Sequence, residues 1–293
     1  MKFSRAGITG IIVIIISTFL LSNCTFYNRI KSRQNLVEGA AAYKERRFAD
    51  AESLFRDTIS RDPEGETQEG RTAQVFLART LHSEFISNRQ NKEKAKEAIA
   101  EYQKVLQKTP SDQSSFKAVA NLYENLGMQD EWQKWVTARA NTTDENVPPE
   151  QRAEALIILG ARRYTCANEI SDTESVKKTV QQDGKEVYQF VKPENPQDFE
   201  TLKQCAQEGL DLVNRAVELA PNNDSAWSYR ANLYTQKARI AEMEGNTAEK
   251  EQFRKLADEA KDRFTTLNEE RKRREAEEEA RKLAEREAAN QSK

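Results

Sequence analysis

The stretch Ala216-Val-Glu-Leu-Ala-Pro-Asn-Asn-Asp-Ser-Ala-Trp-Ser-Tyr-Arg-Ala-Asn-Leu-Tyr234 constrains the chain more than any other. Ala216, Val217 and Leu219 keep helical spacing until Pro221, which removes a backbone donor and pushes residue 220 out of the helical region, so one helix ends there. Asn222, Asn223 and Asp224 then offer side-chain oxygens to the open N–H groups of a second helix. On that helix Trp227, Ala231 and Tyr234 recur at i, i+4 and i+7, an apolar stripe with a small residue at its middle. A small residue between two aromatics lets neighbouring helices approach closely. Other parts of the chain repeat this arrangement: Pro63 and Pro110 end similar helices, and the triplet Asn-Leu-Tyr at 121–123 returns at 232–234.

The pattern resembles the tetratricopeptide repeat, a helix–turn–helix unit of roughly 34 residues. Gly39, Ala51, Phe55 and Pro63 fall on its small, Ala, aromatic and Pro positions; Ala98, Tyr102, Val105 and Pro110 repeat the second-helix set, and Phe116, Ala120 and Tyr123 open a further unit. The resemblance covers about residues 33–268 and implies an all-α, superhelical array of helix pairs. Trp132 departs from it, standing where the second helix wants Ala. Composition agrees with long solvated helices: 32% of residues are charged and only 10 are glycine. A formal net charge of −2 gives no global field, and no basic motif points to nucleic acid.

Residues 1–24 read as a targeting segment, with Lys2 and Arg5 ahead of an apolar run from Ala6 to Leu21. Leu21-Ser-Asn-Cys24 resembles a bacterial lipoprotein signal, which makes Cys24 the lipidation candidate; Asn23 departs from that signal, and an uncleaved signal anchor is the other reading. Either tethers the N-terminus to a membrane and places the rest in the cell envelope, in a periplasmic or other extracytoplasmic space. An insertion at about 169–197 interrupts the fourth repeat. Its alternating segments flank Asp183-Gly184, the dipeptide of a type I′ turn, which predicts a β-hairpin leaning on the helices or on a partner. Residues 269–293 alternate Glu with Lys and Arg and carry too few apolar residues for a coiled-coil seam, so a solvated charged helix is expected.

No catalytic constellation, metal set or cofactor motif stands out, and the expectation is a protein that is not an enzyme. His82, the one histidine, reads as a surface residue. The repeat resemblance implies protein partners held along a concave face made by the first helix of each pair. On that register Lys117, Asn121, Glu124 and Asn125 face the groove in the third repeat, and Ser228, Asn232, Thr235 and Gln236 in the fifth. Lys117 with Asn121 resembles half of the clamp that some relatives use for a terminal carboxylate, though the fourth repeat has Ile157 and Ala161 at the matching places. The same register puts Cys166 near the end of one helix and Cys205 at the start of the next, and so implies a disulfide at the base of the insertion; two unbonded thiols packed as small apolar groups are the alternative. The expected role is a tethered adaptor that assembles or organises other envelope proteins, with a spacer lacking any specific ligand as the rival.

Overall fold

The computed structural model describes residues 27–182 and 184–291. Residues 1–24, which the sequence reads as a targeting segment, and with them Cys24, lie outside the described residues. The elements are α1 (27–44), α2 (Phe48–Ser60), α3 (Gln68–Ser87), α4 (Lys92–Lys108), α5 (Gln113–Asn125), α6 (Gln129–Asn141), α7 (Pro149–Ser171), β1 (Lys177–Gln182), β2 (Lys185–Phe190), α8 (Pro196–Leu219), α9 (Asp224–Met243) and α10 (Thr247–Gln291). This is an all-α succession of helix pairs with one two-stranded insertion and a long charged C-terminal helix. Two compact units divide within α6, the first reaching Trp132 and the second beginning at Gln133.

Helix starts are written in polar side chains. Thr67, Asp112 and Asn223 accept from the backbone N–H three residues on, and Asn195 from that of Gln197, each satisfying a donor that the helix cannot use internally. The Trp227 indole N–H donates to the Pro221 carbonyl at 2.8 Å and ties the α8–α9 turn to the first turn of α9.

In the first unit, Gly39 of α1 lets Phe55 of α2 sit so close that a Cβ there would meet the ring at 2.7 Å. Phe55 is fully buried and stacks on Phe76 of α3 at 5.4 Å between centroids. Leu77, Leu81 and Phe85 of α3, Ala98 and Tyr102 of α4, and Phe116 and Leu122 of α5 continue the core. Trp132, off pattern for the repeat, is buried at 2% exposure, so the bulkier ring is packed within the core and not displaced from it.

In the second unit, glycine again sets the closest approach. A Cβ on Gly160 of α7 would stand 2.6 Å from Val213 of α8, and one on Gly209 of α8 would stand 2.7 Å from Leu233 of α9. The hairpin pairs antiparallel with Gln182 opposite Lys185, leaving two residues in the turn, and Gly184 takes the positive φ of 75° that such a turn requires. Val176 is buried in a cluster with Phe199, Leu202, Ile240 and Met243, and Phe190 packs against that cluster. The Phe190 N–H donates to Glu242 of α9 at 3.3 Å. A hairpin that would be marginal alone is thus held on the helices.

Cys166 and Cys205 are bonded, with Cα atoms 6.1 Å apart and 39 positions between them in sequence. The pairing follows the repeat register, but its placement does not. Cys205 lies well inside α8, because α8 begins at Pro196. The bond therefore joins the bodies of α7 and α8 a turn or more inside the point where the insertion leaves. In α10 the last buried residue is Leu267, after which the helix continues with its side chains largely in water. Ion pairs such as Glu278–Lys282 (2.6 Å) and Arg271–Glu275 (2.9 Å) line that stretch.

Candidate functional site

The two sets of groove residues belong to different units. In the first, Lys117, Asn121, Glu124 and Asn125 lie together on the exposed side of α5. Asn125 donates to the Asn121 carbonyl and side-chain oxygens at 2.7 and 2.9 Å, and its own oxygen accepts from Arg89 at 2.6 Å. The two amides are thereby occupied within the fold.

In the second, Ser228, Asn232 and Thr235 of α9 line a hollow of about 350 Å³ whose other side is Ala257, Asp258, Lys261 and Phe264 of α10. Gln236 does not join them. It is 1% exposed, accepts from the Ser171 hydroxyl at 2.8 Å and donates to Asn168 at 3.1 Å, so it is an internal tie to α7 and a correction to the groove set. One residue on a helix is a turn of 100°, which carries Gln236 from the groove to the core.

A second hollow of about 440 Å³ shares Thr235, Ala257 and Asp258 with the first and adds Arg239, Glu242 and Arg254 from the helices. The hairpin contributes Lys177, Tyr188 and Phe190 to its lining. The two hollows adjoin along α9 and α10 at the three shared residues and together are called the channel. Tyr188 is 62% exposed and sits beneath the Lys177 ammonium, which lies 4.3 Å from the ring centroid. Lys177 also donates to Asp172 at 2.8 Å, a contact that holds the Asp172 carboxyl below the usual carboxylate range.

Arg239 is the most unusual group in the channel. Its guanidinium stacks over Phe190 at 4.5 Å and donates to two neutral oxygens, of Ser171 at 3.1 Å and Asn168 at 3.4 Å. Burial lowers its pKa, and the charges of Asp172 and Tyr164 only partly oppose that. By contrast Glu242 is matched by Lys250 at 2.9 Å. A half-dry cation bonded to neutral groups attracts an incoming carboxylate more strongly than a solvated one does.

Neither Arg239 nor the hairpin residues figured among the expected groove residues. Arg239 had a signal: 228, 232, 235 and 239 continue one stripe at 4-3-4 spacing. A further hollow of about 400 Å³ in the same unit has Leu156, Leu159 and Leu212 in its lining. Its charged rim closes on itself through Arg163–Glu208 at 2.9 Å and Arg215–Asn141 at 2.8 Å, which leaves less for a ligand to satisfy.

His82 is half-buried and not fully on the surface. Its ring packs edge-on against Tyr102, with Nδ1 3.4 Å from the phenol oxygen, and its Nε2 is buried without a hydrogen-bond partner. Burial, aided by the Arg89 charge, lowers its pKa. Among the described residues no group of three or more His, Cys, Asp or Glu side chains could hold a metal ion, and no helix is long and apolar enough to cross a membrane.

No family model and no curated protein matches the chain. Among solved structures, a double mutant of MamA, "MamA RS-1 ArsTM", is 10% identical, covers 82% of this chain and 96% of its own, and superposes with a TM-score of 0.40. PilF of Pseudomonas aeruginosa is 12% identical over 84% of this chain and 92% of its own, with a TM-score of 0.39. A tetratricopeptide repeat protein from Parabacteroides merdae is 12% identical over 81% and 97%, with a TM-score of 0.33. Nothing about partners follows from likenesses at this level.

Proposed function

We propose that the chain is a membrane-tethered helical-repeat adaptor of the cell envelope that holds an extended segment of a partner protein in the channel along α9, α10 and the hairpin. The channel carries this reading. It joins an apolar and aromatic lining (Ala257, Phe264, Tyr188) to a few directed polar groups (Asn232, Asp258, Arg239), the composition of a surface that recognises a peptide. The Arg239 guanidinium suits a carboxylate on that segment, either a side chain or a terminus. The tether rests on Lys2, Arg5, the apolar run Ala6–Leu21 and Cys24. A Cys166–Cys205 bond is at home outside the cytoplasm, which supports the same placement.

A tethered scaffold acts by geometry: it raises the local concentration of what it binds near one membrane. The test is a photo-reactive residue placed at Asn232 in cells, followed by mass identification of what it captures, with exposed Gln204 of α8 as the control position. In the chain carrying the photo-reactive residue, combined Lys261→Ala and Tyr188→Ala should weaken capture by about tenfold or more, the usual consequence of truncating central contacts, while leaving the melting temperature in place. Capture at Gln204 with none at Asn232 would point to a different surface. A chain that captures nothing at either position would be the spacer.

A further inference from the structure

Among the described residues six large apolar side chains are exposed, and three of them, Tyr27 (61%), Ile30 (51%) and Val37 (70%), lie on α1. They are not scattered on it. Tyr27, Ile30, Gln34, Val37 and Ala41 follow one another at 3-4-3-4 spacing, the repeat that keeps one stripe of a helix facing a partner helix along its whole length. The opposite side of α1 is committed to the fold: Ser32, Asn35 and Ala42 are buried, and Gly39 meets Phe55. The stripe therefore faces away from the core of the first unit, and among the described residues all five of its side chains are exposed.

The charges beside the stripe select the occupant. With Tyr27 and Gln34 at the first position of the heptad and Ile30 and Val37 at the fourth, Arg33 takes the seventh position and Glu38 the fifth of the next heptad. In a parallel two-stranded coiled coil these are the positions that meet across the interface, so two copies of α1 side by side bring each Arg33 to the other's Glu38. Gln34 donates to Glu38 within the chain at 2.8 Å, which holds that carboxylate at the border of the stripe. Arg33 bonds Glu69 at 2.7 Å in the single chain, but Glu69 has a second cation in Arg29 at 3.8 Å, so Arg33 can turn outward without stranding a carboxylate.

We propose that a second copy of this chain docks on α1, forming a parallel two-stranded coiled coil through Tyr27, Ile30, Gln34, Val37 and Ala41 with reciprocal Arg33–Glu38 pairs. The interface is isologous and closes at two copies. About two heptads make a short seam, and its occupancy draws on the membrane tether proposed above, which sets both copies parallel and concentrates them.

The test uses the full chain in its native membranes. Val37→Cys, on the stripe, should give a covalent dimer under mild oxidation or with a short bis-maleimide. Lys96→Cys on the exposed side of α4 should not, and the unsubstituted chain sets the background from Cys24. Arg33→Glu should lower the yield of the Val37→Cys dimer several-fold. Adding Glu38→Arg should restore it, although the double exchange cannot restore the bond to Glu69, so recovery separates pairing between chains from stability within one. Val37→Glu should abolish native dimer detected by crosslinking of surface amines while leaving the melting curve unchanged, since Val37 supports nothing inside the fold. Absence of the Val37→Cys dimer, or equal dimer from Lys96→Cys, overturns the proposal. Membrane extraction is read separately: a chain that leaves the membrane yet still crosslinks at Val37 keeps the dimer and removes the tether, and one that stays and does not crosslink does the reverse.

Discussion

Removing the Cys166–Cys205 bond with Cys166→Ala and Cys205→Ala should lower the stability of the second unit far more than any surface change. The bond closes a loop spanning 39 positions. In the chain-entropy model, opening a loop of that length returns about 13 cal/mol/K to the unfolded chain, or about 4 kcal/mol at 25 °C. The Cα separation of 6.1 Å lies inside the range that disulfides span without backbone movement, so the substituted helices can stay where they are. At about 2–4 °C per kcal/mol for a unit of this size, the transition should fall by about 8–16 °C. Differential scanning calorimetry of oxidised wild-type and double-Ala protein measures this directly, and amide exchange along β1 and β2 should accelerate in parallel. The bond lies in the same cluster as Val176 and Phe190, which carry the hairpin. A fall of less than about 2 °C would refute the entropic account, because no reasonable strain term removes nearly all of a loop of that length. Two reactive thiols in unreduced, denatured protein would remove the premise itself.

Two further predictions concern the first unit. Gly39→Ala places a Cβ 2.7 Å from the fully buried Phe55 ring, and overpacking should outweigh the helix-propensity gain for a net loss of about 1–2 kcal/mol in urea unfolding. Because burial depresses the His82 pKa, its unfolded form binds a proton more readily than its folded form. The stability it contributes is thus complete above about pH 6.5 and is lost as pH falls through the lower folded value. The urea midpoint should accordingly drop between neutral and mildly acidic pH, and His82→Gln should flatten that slope.

The helix pairs were legible because their signals are local. Proline 63, 110 and 221, the capping residues, and the small and aromatic stripes each act within a turn of where they stand. The hairpin was legible for the same reason, since Asp183-Gly184 names its own turn. What joins it to the helices was not: the Phe190 N–H meets Glu242 across 52 positions, and no periodicity within either segment records that contact. The channel shows both limits at once. Its α9 stripe follows from spacing, yet the repeat register placed Gln236 on it, where that amide in fact satisfies Ser171 and Asn168 in the interior. His82 fails differently. Polar neighbours such as Ser83 and Glu84 suggest an exposed helix face, but Tyr102 of α4 covers the ring.

The portion of α10 beyond Leu267 has a consequence for how this protein can change over time. At 1.5 Å per residue it projects about 36 Å from the last buried side chain to Gln291; Arg271 still pairs with Asp224 of α9 at 2.9 Å, and past it the support is ion pairing along the helix's own length. Residues that bury nothing can be deleted or duplicated without repacking a core. Removing seven shortens the projection by about 10 Å and turns its far end by only about 20°, whereas removing one shortens it by about 1.5 Å and swings the end through about 100°. Reach and heading are therefore independently adjustable in this segment, and lineages that need a different span between the channel and whatever the far end touches can obtain it by gaining or losing heptads while the folded units stay as they are.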